Sequence, residues 1–149
     1  MARAKARDGR RRRRECFIDT GYFAAVVNHA DQYHTRALEV GEELAASNAR
    51  FVTTHAILLE IGNLLARAPL RPYALRVLDA LAADDAVTVV SIDAALYARG
   101  LDLFRQRADK DWSLTDCLSF TVMAERRISD ALAHDVHFEQ AGFRALMRR

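Results

Sequence analysis

Short apolar segments of strand length alternate with longer stretches of helical periodicity along most of the chain, and this alternation restricts the fold more than any other feature. ECFID (15–19), ARFVTT (49–54), AVTVVS (86–91) and the apolar run 131–133 within ISDALAHD are strand-sized and lie between helical patterns. The helical stretches are TGYFAAVVNHA, DQYHTRALEVGEELAASN, HAILLEIGNLLARA (ending near Pro69), PYALRVLDALAADD, DAALYARGLDLFRQRAD and SLTDCLSFTVMAERR. Strands that alternate with helices imply an α/β fold. The expected architecture is a three-layer sandwich, with a central, mostly parallel sheet of four or five strands flanked by helices and GFRAL as a last edge strand. Asp31 is expected to cap the second helix and Asp93 the fifth, while Arg71-Pro72 suits the first turn of the fourth. A length of 149 residues is enough for one core and too short for two comfortable ones.

The net charge of +2 conceals a split. Residues 1–14 hold eight basic side chains and one acid, Asp8, for +7, whereas the other 135 residues hold 14 basic and 19 acidic groups, for −5. Residues 1–14 therefore read as a basic, disordered tail and 15–149 as a single domain. No apolar run approaches the ~18 residues of a membrane span. The basic stretch is not followed by the apolar segment of a secretory signal, so the cytoplasm is the expected location. Cys16 and Cys117 form no C-x-x-C pair, and Cys16, inside a strand, reads as a core residue. Neither G-x-G-x-x-G nor a P-loop is present, and the histidines show no zinc spacing. A phospho-receiver would need a late lysine, but the lysines are Lys5 and Lys110.

Open parallel sheets do their chemistry at the carboxyl ends of their strands, where Asp19 and Asp135 fall. Each has two readings, as a helix cap or as a site carboxylate. On a helical wheel with Ile57 at 0°, Ile61 falls at about 40°, Leu65 at about 80°, Leu64 at about −20° and Glu60 at about −60°. Glu60 thus borders the buried stripe, and the helix offers it no basic partner before Arg67. Ser113-x-x-Asp116 fits a capping box with Asp in place of the usual Glu, which gives Asp116 a structural reading beside the functional one. Asp109 and Asp111 read as solvated loop acids. Thr20 and Thr115 either orient neighbouring carboxylates or satisfy helix ends. Four acids converging above one sheet edge would repel and raise one another's pKa. A hard divalent cation resolves that conflict, since all-oxygen ligands suit Mg²⁺ or Mn²⁺. Such an ion activates water and stabilises a phosphoryl oxygen, which points to phosphodiester hydrolysis.

Phe17-Ile-Asp19-Thr-Gly, Thr54-x₅-Glu60, DKDWSLTDCLSF (109–120) and ALAHDVHFEQAGF (131–143) together resemble the PIN-domain nucleases, in particular the VapC-type toxins of bacterial toxin–antitoxin pairs. The resemblance spans residues 15–147. It implies that Asp19, Glu60 and Asp116 are core acidic ligands, with Asp135 a fourth acid acting directly or through water. It further implies Mg²⁺- or Mn²⁺-dependent endonucleolytic cleavage of RNA, a homodimer, and a cognate antitoxin that inserts a peptide into the acidic site. The chain departs from the family at Gly21, where Ser is usual, and at Ala133, where Thr is common.

Other residues carry two readings each. His134 and His137 flank Asp135 and either touch phosphate or product, or belong to the loop and helix start. Trp112 either stacks on a base or packs as a hydrophobic cap, and His34 lines a rim or packs locally. Tyr22, Phe23, Val26 and Val27 form an apolar face that is either core or a partner groove. Arg50, Arg67, Arg99, Arg105, Arg107 and Lys110 are candidate phosphate contacts, and the tail either fastens RNA through counterion release or is an inert extension. Two further functions stand beside a toxin: a PIN-like nuclease of RNA processing or decay, and a catalytically silent nucleic-acid-binding α/β domain.

Overall fold

Phe17, Val52 and Ala131 stand in register on three adjacent strands, all fully buried, and mark the centre of the molecule. The structure is a computed structural model that describes residues 13–148. Of the expected tail, 1–14, positions 1–12 lie outside the described residues.

The strands are β1 (Glu15–Ile18), β2 (Arg50–Thr54), β3 (Val87–Val90), β4 (Asp130–Leu132) and β5 (Arg144–Ala145). The helices are α1 (Thr20–Val27), α2 (His34–Ala46), α3 (His55–Leu64), α4 (Arg71–Ala83), α5 (Ala94–Gln106), α6 (Leu114–Arg126) and α7 (Val136–Gln140), followed by a closing 3₁₀ turn, Leu146–Arg148. The strands form one sheet in the order β3-β2-β1-β4-β5, with every neighbouring pair parallel. The expected α/β sandwich is therefore present, with GFRAL supplying the edge strand.

The chain runs outward from β1 to β3, then returns across the sheet to place β4 on the other side of β1. Right-handed crossovers put the helices of the outward run on one face and those of the return on the other. The packing agrees: α1 meets α2 and α3, α3 meets α4, and α5 lies along α6. The reversal makes the gap between β1 and β4 a topological switch point, where the loops leaving the two strands diverge and open a crevice.

Aromatic side chains fill the core beneath that crevice. Phe138 meets Phe17 at 6.3 Å and Phe120 edge-on at 5.1 Å, while Trp112 meets Phe120 edge-on at 5.0 Å. Cys16 and Cys117 are buried free thiols, and burial pushes Cys16 up to about 12, so it is an inert core residue. Among the described residues no helix is long and apolar enough to cross a membrane.

Two expectations about helix ends need correction. Asp31 does not cap α2: its Oδ1 accepts from the Tyr33 N–H at 2.7 Å, and the helix starts at His34 behind Tyr33, without a side-chain cap. The carboxylate is committed to the turn that precedes the helix. The third helix ends at Leu64, well short of Pro69, so Leu64 is 53% exposed while Leu65, just past the end, is buried. Asp93 caps α5 as expected, accepting from the Leu96 N–H at 2.7 Å.

Candidate active site

Asp19 is the first residue beyond β1, and its backbone N–H bonds the Leu132 carbonyl of β4 at 3.1 Å, which sets it in the crevice. Its side chain caps α1, accepting from the Gly21 N–H at 3.3 Å. Capping therefore holds the carboxylate over the switch point, and the two readings of Asp19 describe one placement. Burial pushes its pKa up to about 7; the charges of Asp116 and Glu60 push the same way, against the backbone N–H groups of Gly21 and Thr20.

Glu60 reaches this point from α3. Its Oε2 accepts from the Thr20 hydroxyl at 2.5 Å, so the residue after Asp19 in sequence anchors the second acid. The preceding strand places the helix: Thr54 ends β2, and its hydroxyl oxygen accepts from the Ile57 N–H at 3.3 Å. Ile57 and Ile61 then bury one face and leave Glu60 half-buried at its margin.

Asp116 lies one turn into α6. The capping box is complete, because Ser113 Oγ accepts from the Asp116 N–H at 2.9 Å and Asp116 Oδ2 accepts from the Ser113 N–H at 2.9 Å. The same Oδ2 accepts from His137 Nδ1 at 3.1 Å. Asp135 caps α7, with Oδ1 accepting from the His137 N–H at 2.9 Å and lying 3.4 Å from the His137 ring. His137 thereby links the third acid to the fourth.

Arginine pairing divides the acids of the molecule. Asp130, Glu15, Glu125, Asp102, Asp109, Glu139 and Glu39 each pair with an arginine. Among the described residues, Asp19, Glu60, Asp116 and Asp135 have no Arg or Lys partner, and the His137 ring meets only Asp116 and Asp135. Oδ1 of Asp116, Oε1 of Glu60 and Oδ2 of Asp135 accept no hydrogen bond from the described residues, which leaves three oxygens for a ligand. Among the described residues no three acidic, histidine or cysteine side chains are drawn together into a ready-made metal cage.

The remaining expectations divide. Trp112 is a core residue: it is 5% exposed, edge-on to Phe120, and donates from Nε1 to Gln140 at 3.0 Å, so no base can stack on it. His134 lies at the site's margin, stacked on Tyr33 at 4.5 Å, with Nε2 2.7 Å from where a Cβ on Gly21 would sit. Thr115 is half-buried beside Asp116, and Asp111 stands exposed in the preceding loop. His34 packs locally, against His29 and the Ala25 carbonyl. Of the apolar face on α1, Phe23 is core, while Val27 lines a cleft of about 420 Å³ with Leu64, Leu70 and Tyr73. Arg99, Arg105, Arg107 and Lys110 are tied to acids, and Arg50 to the Asp85 carbonyl. His137 is the residue that sequence reasoning undervalued. Its signal was the Asp135-x-His137 spacing at a helix start, which places an imidazole over its own cap.

The sequence profile of the PIN domain matches residues 16–144. The chain belongs to the PIN-domain family. Within that family, the 23S rRNA-specific endonuclease VapC20 of Mycobacterium tuberculosis is 30% identical over 133 residues, covering 85% of this chain and 94% of the relative. The crystal structure of that protein, described as a sarcin-ricin loop cleaving toxin, superposes with a TM-score of 0.76 at 28% identity, over 87% of this chain and 97% of the other. A VapBC2 structure from Rickettsia felis shares the fold, with a TM-score of 0.61 at 12% identity over 85% of this chain and 92% of the other. The chain is thus a VapC-like member of the PIN nucleases, and its four acids lie where the fold opens.

Proposed function

We propose that this chain is a divalent-metal-dependent endoribonuclease that hydrolyses RNA phosphodiester bonds as the toxin of a toxin–antitoxin pair. The observation that supports it best is a set of four acids at the switch point without an Arg or Lys partner among the described residues, with the pKa of Asp19 raised by burial and in part by the charges of Asp116 and Glu60. An array of this kind is costly unless a cation completes it. Its donors are oxygens, which suits Mg²⁺ or Mn²⁺. Asp19 and Asp116 would hold the ion from the two sides of the crevice, with Glu60 and Asp135 acting directly or through water. When bound, such an ion supplies an activated water and charge stabilisation at the phosphoryl oxygen.

The chain's own groups supply the positioning. Thr20 fixes Glu60, Ser113 and His137 fix Asp116, and the α7 cap fixes Asp135. The relative VapC20 is a 23S rRNA-specific endonuclease, which favours RNA as the substrate class. An antitoxin and a second copy of the chain are the partners this reading carries, and the apolar cleft beside Val27 and Tyr73 offers a seat for one of them.

The test is cleavage of a structured RNA pool in Mg²⁺ or Mn²⁺ by purified, antitoxin-free protein, compared with Asp19→Asn and Asp116→Asn. The wild type should cut and both variants should not. Equal products from all three under both metals would remove the assignment. Growth arrest on expression, relieved by Asp19→Asn, would place the nuclease among toxins rather than RNA-processing enzymes.

A further inference from the structure

The amino ends of the strands hold a second charged feature, of the opposite sign. A cleft of about 290 Å³ is lined by Arg13, Arg14, Arg126, Arg127 and Arg144. Its acids are Glu15, which opens β1, and Asp130, which opens β4, so the cleft carries a net charge of +3.

Among the described residues, these acids do not engage all five arginines. Asp130 is 3% exposed and clasped from both sides: Arg14 Nε donates to Oδ2 at 2.9 Å, and Arg144 Nε to Oδ1 at 2.5 Å. Arg126 binds Glu15 at 2.7 Å from the last turn of α6. One buried carboxylate needs one cation, yet two arginines are spent on it. Arg13 and Arg127 are both exposed on the cleft wall and have no acidic partner among the described residues. Arg127 is held in the left-handed region, at φ 59°, by the backbone bonds that close α6, which fixes where its side chain leaves the chain. Folding alone explains three of the five guanidinium groups and not these two.

We propose that this cleft is a docking site for the phosphate backbone of a structured RNA, separate from the acidic crevice. Planar guanidinium forks match phosphate oxygens in pairs and are weakly hydrated, so a rigid arginine-lined cleft favours phosphodiester over a diffuse acidic surface. The two sites sit at opposite ends of β1, whose four residues span about 13 Å. A short single strand lying in the crevice does not turn that far around the sheet, whereas a folded RNA presents phosphates to both ends. The proposal rests on RNA being the substrate class. It deepens that reading by assigning affinity for folded RNA to residues remote from the reacting phosphate.

The experiment measures binding of a labelled RNA hairpin to the full chain in EDTA, as a function of salt, so that no cleavage and no metal site intervenes. The test protein is Arg13→Gln/Arg127→Asn, which leaves the three structural ion pairs intact and puts at 127 a residue that tolerates positive φ. The control is Arg99→Gln/Arg105→Gln, which makes the same change in net charge elsewhere. Each lost phosphate contact lowers the slope of log K against log salt by about 0.9 on duplex. Between about 50 and about 200 mM salt, wild-type affinity should therefore fall ~12-fold further than that of the cleft variant. The control should keep the wild-type slope. Identical slopes and affinities for wild type and cleft variant would overturn the proposal, as would an equal loss in the control. So would a cleft variant that loses poly-glutamate binding but keeps RNA, which would make the cleft a seat for acidic protein. Failure of the nuclease reading shows itself separately, as absence of cleavage with metal while the binding comparison still stands.

Discussion

Gly21 shows how a single missing side chain reshapes a site. The resemblance leads one to expect Ser at this position, yet a Cβ there would lie 2.7 Å from His134 Nε2 and 3.4 Å from Asp19 Oδ2. The imidazole occupies the vacated space and is held by its stack on Tyr33. Gly21→Ser is expected to destabilise the protein by about 1–3 kcal/mol in denaturant unfolding, the usual cost of overpacking. His134→Ala in the same chain should recover most of that loss. A Gly21→Ser protein as stable as the wild type would mean that the ring moves freely and does not define the margin of the crevice. His137 makes the complementary case, because its ring is the group that joins Asp116 to Asp135. His137→Ala should lower metal-dependent cleavage by roughly 10–100-fold, the range for partners that orient ligands, with little change in unfolding midpoint. Restoration by His137→Gln, which keeps a donor, would separate orientation from proton transfer.

At the scale of elements, each acid of the candidate site owes its position to a helix terminus or a helix margin. Asp19, Asp116 and Asp135 are bonded to the first turns of α1, α6 and α7, and Glu60 sits at the edge of the α3 stripe. Removing a cap therefore disturbs the site as well as the helix. Ser113→Ala should cost about 1 kcal/mol of stability and should weaken metal binding too, since Asp116 then loses one of the bonds that fix its helix start. Unchanged metal affinity with lowered stability would show that His137 alone orients the carboxylate. Such elements were largely legible from sequence, because strand-sized apolar runs and helical stripes have different periods. The acids were legible as a pattern for the same reason: the carboxyl end of a strand is identifiable before its neighbours are. What the pattern left open was decided by particular contacts, some distant in sequence and some local. Trp112 takes its place from Phe120 and Gln140, and Asp31 lost its capping role to a local turn that begins at Asn28. The end of α3 was missed because Leu64 and Leu65 are equally apolar, and only packing decides which one is buried.

For the molecule as a whole, the described residues separate charge along the sheet axis, with acids lacking an arginine at the carboxyl ends of the strands and surplus arginines at the amino ends. The acidic end has a thermodynamic consequence. Asp19 titrates near 7 in the folded protein against 3.8 for the free side chain, so between those values the folded state keeps a proton that the unfolded state has released. The stability this group contributes is complete below about pH 4 and is lost as pH rises to about 7. The metal-free wild type should accordingly show a Tm that declines across this window, and Asp19→Asn, which carries no proton to lose, should lack that component. On the proposed function a divalent cation would bind the ionised form, so its stabilising effect should grow as pH rises through the same range, and binding below pH 7 should release protons measurable by calorimetry in two buffers. At a hundredfold excess over its dissociation constant the ion should add about 2.7 kcal/mol to unfolding. Parallel Tm–pH curves for wild type and Asp19→Asn, with or without Mg²⁺, would show that Asp19 is not the carboxylate through which the cation and the fold are coupled.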